Sequence, residues 1–201
     1  MNFIVFDGFL GSGKTLGASI FAKYYQERSN CALYSNYGLV GAKSFKSLED
    51  FKEIAQEQSS ILVLDEAHIN LDARSFSTND VKFFTQLSYY LRKLRCTLIM
   101  TSPSFSDLDS RIRGITNVVC NVKKDGDNFY YDMFDIQSNQ FLKTMIINQS
   151  DAFKVADQIF DTSSMVTPVT VPANRGDFME YLEELKTISD NFYIKATEKT
   201  A

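Results

Sequence analysis

The stretch GFLGSGKT, residues 8–15, constrains this chain more than any other. It fits G-x-x-x-x-G-K-[ST] at each fixed position with Gly8, Gly13, Lys14 and Thr15. Glycines let the backbone curl so that its N–H groups converge, and a helix starting at Gly13 adds the positive end of its dipole. Such a turn works only between a strand and a helix, and both are legible. NFIVF (2–6) is a short apolar run that reads as a buried strand. In KTLGASIFAKYYQE, Leu16, Ile20 and Tyr24 recur every fourth residue, a helical period. Lys14 is placed to reach the β- and γ-phosphates of a nucleoside triphosphate, and the Thr15 hydroxyl to ligate Mg2+. The binding candidates are therefore Gly8, Phe9, Leu10, Gly11, Ser12, Gly13, Lys14, Thr15 and Leu16.

The 201 residues suit one domain with a sizeable core. No apolar run approaches the roughly 18 to 20 residues of a membrane span. The first residues already read as strand and phosphate loop, so no signal peptide is expected. Cys31, Cys96 and Cys120 are odd in number and each lies in an apolar run. They read as buried free thiols in a reducing compartment, and the chain as a soluble intracellular protein. Net charge is −4, unevenly spread. Residues 82–124 hold eight basic and two acidic residues, a net +6, leaving −10 on the remainder. That basic middle suits a nucleic-acid face, an inter-subunit face or solvated helix edges, and on charge alone the last is the simplest reading.

Along the chain, CALYSNYGL (31–39) reads as a second strand. Ser47 with Asp50 reads as a cap for a short helix over 48–58. SILVLDEAH (60–68) is a strand buried on both faces and closed by Asp65 and Glu66. Thr78 and Asn79 cap an expected helix over 80–95, whose Phe84, Leu87, Leu91 and Leu94 form one apolar face. CTLIMTS (96–102) is another buried strand, followed by a short helix over 105–113. From residue 115 the period changes, and ITNVVCNV, FYYDMFDI and QFLKTMII predict three consecutive antiparallel strands. A helix over 151–160, an extended arm over 161–176 and an amphipathic helix from 177 complete the chain. The fold class is α/β, with a mainly parallel sheet, antiparallel strands added after residue 115 and a C-terminal helical arm. Residues 1–160 form the P-loop domain; residues 161–201 form the arm and a helix packing on the core or on a neighbouring subunit.

Asp65 and Glu66, at a strand end about 50 residues after the phosphate loop, supply what hydrolysis needs. An aspartate there holds Mg2+ opposite Thr15, and the next glutamate orients the attacking water. DEAH at 65–68 invites a helicase label, but such helicases need two RecA-like domains and further motifs. His68 reads as a structural neighbour of the site.

GFLGSGKT, ALYSNYGL, ILVLDEAH, LRCTLIMTSPSFSDLDSRIR and a weakened aspartate-threonine turn at IFDTSS together resemble the FtsK–HerA superfamily of P-loop ATPases. The resemblance is to its viral genome-packaging branch and to the neighbouring zonula-occludens-toxin-like assembly ATPases of filamentous phages. It covers roughly residues 1–165. It implies a RecA-like core, ATP and Mg2+ as cofactors, and a homo-oligomeric ring, often a hexamer, that threads double-stranded DNA held by its backbone phosphates. Lys82, Arg92, Lys93, Arg95, Lys123 and Lys124 are the candidates for those phosphate contacts. By position, Arg111 or Arg113 would be an arginine finger completing a neighbour's site. Thr101 or Ser102 would sense the γ-phosphate, since Pro103 stands where many relatives carry glutamine. A capsid or membrane-vertex partner is implied, in the host cytoplasm or on the virion. The alternatives are a filamentous-phage assembly or export ATPase and a nucleotide-gated switch that translocates nothing. A small-molecule kinase fits least, because no lid or acceptor site is evident.

Overall fold

The computed structural model describes residues 3–67, 79–161, 163–170 and 174–198. Its centre is β1 (Phe3–Asp7), which feeds the phosphate loop and then α1 (Lys14–Ser29). There follow β2 (Ala32–Ser35), a two-residue β3 (Lys43–Ser44), a 3₁₀ turn at Leu48–Asp50 running into α2 (Phe51–Ile54), and β4 (Ser60–Leu64). Next come α3 (Asn79–Ser88), β5 (Cys96–Ser102), α4 (Ser110–Ile115), β6 (Val118–Asp125), β7 (Asn128–Asp135) and β8 (Gln140–Asn148). Two helices close the chain, α5 (Gln149–Ile159) and α6 (Arg175–Glu198).

The eight strands form one sheet in the order β3-β2-β4-β5-β1-β6-β7-β8. Pairing is parallel from β3 through β6, and antiparallel between β6 and β7 and between β7 and β8. The mainly parallel α/β sheet expected from the sequence is therefore present, with β6 belonging to both halves. Its position explains its buried apolar start. Val118 pairs with Ile4 of β1 on one side and Asp135 of β7 on the other.

Successive strand residues point to opposite faces, so an all-apolar strand feeds two cores at once. Phe3, Val5, Leu62, Leu98 and Met100 face one cluster with Phe83, Leu87 and Phe178. Ile4, Phe6, Ile61, Val63 and Ile99 face the other with Phe21 of α1 and Ala152 and Ala156 of α5. α6 lies on the first face. Phe178 stacks on Phe83 at 4.1 Å between ring centroids, and the Tyr181 hydroxyl donates to the carbonyl of Leu48. Arg95 packs its guanidinium on Phe192 and Tyr193 while donating to the carbonyls of Ala55, Glu57 and Lys93.

Several expected boundaries move. β2 ends at Ser35, not 39, because Ser35 Oγ turns to the carbonyl of Tyr37 and the carbonyl of Asn36 is taken by the N–H of Thr167. β4 ends at Leu64, because the N–H of Asp65 bonds to the Asn36 side chain instead of a strand neighbour. The helix expected to reach residue 95 stops at Ser88. Beyond it Tyr90, Leu91 and Arg95 donate to carbonyls three residues back, which still buries Leu91 and Leu94, themselves three apart. The helix expected over 48–58 is the 3₁₀ turn plus one turn of α2, with Asp50 accepting from the N–H of Ser47 as a capping box. The one expected over 105–113 divides into a 3₁₀ turn, Phe105–Asp107, and α4. β6 and β7 meet through a two-residue turn, Gly126-Asp127, shorter than the expected KKDGDN loop. Thr78 and His68 lie outside the described residues, and Cys31, Cys96 and Cys120 are free and buried. Among the described residues no helix is long and apolar enough to cross a membrane.

Candidate active site

The site grows from the carboxyl ends of β1, β4 and β5, where parallel sheets place their ligands. Asp7 ends β1, and its Oδ1 accepts the N–H of Phe105 at 2.9 Å, fixing the entry to the loop. Burial raises the Asp7 carboxyl above its ordinary range, against the Phe105 hydrogen bond and Lys14. Gly8 has no room for a side chain, since a Cβ there would lie 2.3 Å from the carbonyl oxygen of Val122. Gly13 takes φ +95° and a Cβ would fall 2.8 Å from the Phe129 ring. The fully buried Tyr131 reinforces the helix entry: its hydroxyl donates to the carbonyl of Gly13 at 3.1 Å, and its ring lies against Gly17.

Five polar candidates converge. Lys14 Nζ donates to the carbonyl of Phe9 at 3.0 Å, folding back over the loop. Burial lowers the Lys14 ammonium below its ordinary value, while Asp65, Asp7 and Glu66 pull it upward. Thr15 Oγ1 lies 2.9 and 3.0 Å from the two oxygens of Asp65. Thr101 Oγ1 donates to Asp65 Oδ1 at 2.5 Å and accepts the N–H of Glu66 at 2.9 Å. The carbonyl of Thr101 also accepts the N–H of Ala67 at 3.1 Å. Glu66 sits at φ +50°, a left-handed conformation that costs on the order of 1–3 kcal/mol and persists only when its surroundings impose it. Thr101 imposes it from two atoms. The Glu66 side chain points to solvent from a rigid backbone.

Sequence reasoning left Asn36 without a role. Its side chain is buried and grips both backbone groups of Asp65, accepting the N–H at 2.8 Å and donating to the carbonyl at 3.1 Å. Nδ2 also approaches the carbonyl of Thr167 at 3.4 Å, and the N–H of Thr167 donates to the carbonyl of Asn36 at 2.8 Å. The arm after residue 161 is thus one side chain away from the carboxylate pair. The only prior sign was a polar residue at the end of an apolar strand.

A cavity of about 310 Å³ joins Leu10, Gly11, Gly13, Lys14, Thr15, Leu16, Asp65, Glu66 and Thr101. Its far wall is Lys124, Phe129, Phe153, Ala156 and Phe160, which nothing in the sequence patterning assigned to the site. Of the loop candidates Gly8, Phe9 and Ser12 are not among its lining residues, and neither are Ser102, Arg111 and Arg113. Ser102 is buried and donates to the carbonyl of Ser104 at 2.9 Å. Arg111 clamps Asp109, with Nε 2.8 Å from Oδ1 and Nη2 2.9 Å from Oδ2. Asp109 is fully buried, and Arg111 holds its carboxyl below the usual range. Arg113, two residues further along α4, has a buried Nε with no hydrogen-bond partner.

The oxygens of Thr15 and Asp65 are hard donors, suited to Mg2+, which keeps most of its shell from water and phosphate. Among the described residues no group of three acidic, histidine or cysteine side chains could hold a metal ion. The six basic candidates for DNA do not form one face. Arg92, Lys93 and Arg95 precede β5, at the end of the sheet where its parallel strands begin, and Arg95 is spent on backbone carbonyls. Lys123 and Lys124 lie beyond the other end, in β6 past its pairing with β1. Lys123 pairs with Asp132 at 3.0 Å.

A family model described as "ATPase family associated with various cellular activities (AAA)" matches residues 4–123. No curated protein matches the chain in sequence. Among solved structures, the N-terminal domain of zonular occludens toxin from Neisseria meningitidis is similar with a TM-score of 0.57 at 16% identity, over 80% of this chain and 100% of that one. The genome packaging NTPase B204 from Sulfolobus turreted icosahedral virus 2, in complex with ATP-gammaS, gives 0.53 at 11% identity over 71% and 96%. A DnaB-like replicative helicase gives 0.55 at 12% identity over 73% of this chain and 55% of that one, so this chain spans little more than half of the helicase. At such identities these likenesses speak for the fold.

Proposed function

Because the chain belongs to the AAA family of ATPases, we propose that it hydrolyses ATP to move double-stranded DNA into a viral capsid. The observation that carries hydrolysis is the Thr15–Asp65–Thr101–Glu66 constellation at the mouth of the phosphate loop. In this reading the N–H groups of Gly11 to Thr15 and the Lys14 ammonium bind the triphosphate. Thr15 and Asp65 would hold Mg2+, which would supply neutralisation of charge on the transferring phosphoryl group. Glu66, held at a fixed backbone angle, orients a water and takes its proton as the water oxygen bonds to the γ-phosphorus and the bond to the β–γ bridging oxygen breaks, so that ADP and phosphate leave. Thr101, with its hydroxyl committed to both carboxylate residues, reports the state of the γ-phosphate through them; Ser102 supports the turn behind it.

Arg113 is the finger for a neighbouring subunit's site, and Arg111 anchors α4 to its own core through Asp109. That assignment draws on the unpartnered Nε of Arg113 and the clamp on Arg111. The assembly is a ring, often a hexamer, of domains spanning 1–160. Residues 161–201 form an arm and helix on the core or on the next subunit. Of the basic residues, Lys82, Arg92, Lys93 and Lys124 are exposed and available to phosphates. The protein acts in the host cytoplasm or on the virion, with a capsid or membrane-vertex protein. The similarity to the packaging NTPase supports this reading. The complete coverage of the zonular occludens toxin domain favours a second one, a filamentous-phage assembly or export ATPase.

The test is turnover of ATP with and without double-stranded DNA. The parent protein should hydrolyse ATP faster with DNA, Lys14→Ala should lose binding, and Glu66→Gln should bind without turnover. Wild-type turnover by Glu66→Gln would refute the catalytic assignment. DNA affinity should fall with salt, each phosphate contact adding roughly 0.9 to the log–log slope. No DNA binding at low salt would remove DNA as substrate and favour export or a nucleotide switch.

A further inference from the structure

The sheet ends in two edges of very different length. At one, β3 is only two residues long and leaves little to pair with. At the other, β8 runs for nine residues, and among the described residues no strand pairs with its outer side. Every second residue of an edge strand turns its N–H and C=O outward, a template for another strand. β8 also carries apolar side chains into solvent: Phe141 is 57% exposed, Leu142 47% and Ile146 59%. Its two faces are unequal. Met145 and Ile147 turn to the side shared with α1 and α5 and are partly buried there. Leu142, Thr144 and Ile146 turn to the other side, with Thr144 opposite Asp132 and Ile146 opposite Tyr130. Among the described residues, none of β7 or β8 belongs to the core cluster on that side.

The strand is complementary to itself when reversed. Facing residues of an antiparallel pair lie on the same side of the sheet, so two copies meet face-aligned only in alternate registers. With Thr144 opposite its own copy, Leu142 faces Ile146 and Lys143 faces Met145. The neighbouring registers are worse. Centred on Lys143, two ammonium groups oppose each other; centred on Met145, Leu142 faces Asn148 and Ile146 faces Thr144. A lysine and a bulge are common guards of an edge, and β8 has both, the bulge lying where β7 passes from Met133 to Phe134. Here Lys143 selects the register, and the bulge closes the ladder at Leu142. We propose that β8 is a dimerisation edge, pairing antiparallel with β8 of a second copy about a twofold axis between the two Thr144 residues. The ladder runs from Leu142 to Ile146. Leu142 and Ile146, both exposed in the single chain, become a cross-strand pair twice in each dimer. Such a contact is isologous and closes at two copies, so it cannot build a ring and joins chains independently of one. It stands apart from the nucleotide reading. A ladder this short lies at the low end of interface size, so the dimer is transient, with a Kd in the micromolar range or weaker.

The experiment is oxidative cross-linking of the full chain, read on non-reducing gels, with sedimentation velocity on the same samples. Cys31, Cys96 and Cys120 are buried, so an added surface thiol is the reactive one. Facing residues in such a ladder have Cα atoms about 4.5–5.5 Å apart, inside the roughly 4.4–6.8 Å span of a disulfide. Thr144→Cys should therefore cross-link to its own copy. Leu142→Cys and Ile146→Cys should each fail alone, being out of register with themselves, and should cross-link when the two are mixed. Ile146→Lys should weaken the dimer at least about tenfold, since each dimer loses two apolar pairs. Met179→Lys, at an exposed apolar position on α6, should leave it unchanged. All of these positions are exposed, so the melting temperature should stay near the parent value, a control for folding. A Thr144→Cys chain that does not cross-link, equal cross-linking by the three single cysteine variants, or an Ile146→Lys dimer as tight as the parent would each overturn the proposal. So would a parent that stays monomeric at about 1 mM, which would leave the edge to a strand from another protein.

Discussion

Replacing Thr101 by valine removes one hydroxyl and leaves the shape of the side chain almost unchanged. Thr101 is 1% exposed, and its hydroxyl donates to Asp65 Oδ1 at 2.5 Å and accepts the N–H of Glu66 at 2.9 Å. A hydrogen bond to a charged group contributes about 1.5–3 kcal/mol and a neutral one about 0.5–1.5 kcal/mol. Water can reach the exposed Glu66 but not Asp65, so the lower part of the neutral range applies. The sum is about 3 kcal/mol, or roughly 6–12 °C in Tm for a domain of this size. Urea denaturation of Thr101→Val, Thr101→Ser and Ser102→Ala would measure it. Thr101→Ser should recover most of the loss, and Ser102→Ala, which forfeits one neutral bond to Ser104, should cost about 1 kcal/mol. Turnover adds a second readout. With Glu66 released from its left-handed backbone angle, kcat should fall while KM for ATP stays near the parent value. A valine variant within about 1 kcal/mol of the parent, or a serine variant as damaged as valine, would refute the bridging role.

Other outcomes follow from the same geometry. Arg111→Ala should destabilise by roughly 2 kcal/mol, because it strands the buried Asp109 carboxylate, the value being reduced from the fully buried case since Arg111 is about a third exposed. Arg113→Ala should keep its stability and lose turnover by on the order of 10³ or more; activity returning when it is mixed with Lys14→Ala would identify a site shared between subunits, and persistent inactivity under proven subunit exchange would exclude one. Asp7→Asn should raise Tm at neutral pH. The Asp7 carboxyl is raised by burial, so the folded state holds its proton more tightly than the unfolded one, and the group's contribution to stability declines as pH rises through the folded value. The advantage of asparagine should therefore vanish toward about pH 4, and an asparagine variant less stable than the parent at about pH 8 would contradict the assignment. Gly17→Ala would drive a Cβ to 2.0 Å from the buried Tyr131 ring, and a melting scan should show a loss of about 1–3 kcal/mol.

Much of this was legible because periodicity and turn chemistry act locally. The strand–loop–helix at 3–29, the buried strands at 60–64 and 96–102 and the antiparallel hairpins are each written in contiguous residues. What escaped was set by partners distant in sequence. β2 stops because the carbonyl of Asn36 is claimed by Thr167, 131 positions away. The helix after residue 79 changes to three-residue turns, which the spacing of Leu91 and Leu94 permits as readily as a helix does. The Asp65 and Glu66 pairing with the loop could be anticipated from its motif, but Thr101 as their common anchor could not, since the hydroxyl acts across two strands. The aromatic wall was hidden for another reason: Phe153 and Phe160 share a helical spacing of seven at α5, but Phe129 reaches them from β7, and no local pattern shows which helix that strand packs beneath. The positive segment was misleading in the opposite way, being contiguous in sequence and divided between the two ends of the sheet.

The place of β1 in the sheet has a consequence for synthesis. Its ladder partners are β5 and β6, whose first residues are Cys96 and Val118. At about 5–20 residues per second, the first strand waits on the order of 5–20 s before any partner is made. For that interval Phe3–Phe6 is an apolar segment with two open edges, the kind that pairs with a neighbouring copy. The fold therefore cannot nucleate from its own beginning. The phosphate loop's own supports include β5 and the turn after it, through the bonds of Gly8 N–H to the Ser102 carbonyl and of Phe105 N–H to Asp7. A ribosome paused before residue 96 would carry a chain exposed to capture by chaperones, and the first strand gains both neighbours only after residue 125 has left the ribosome.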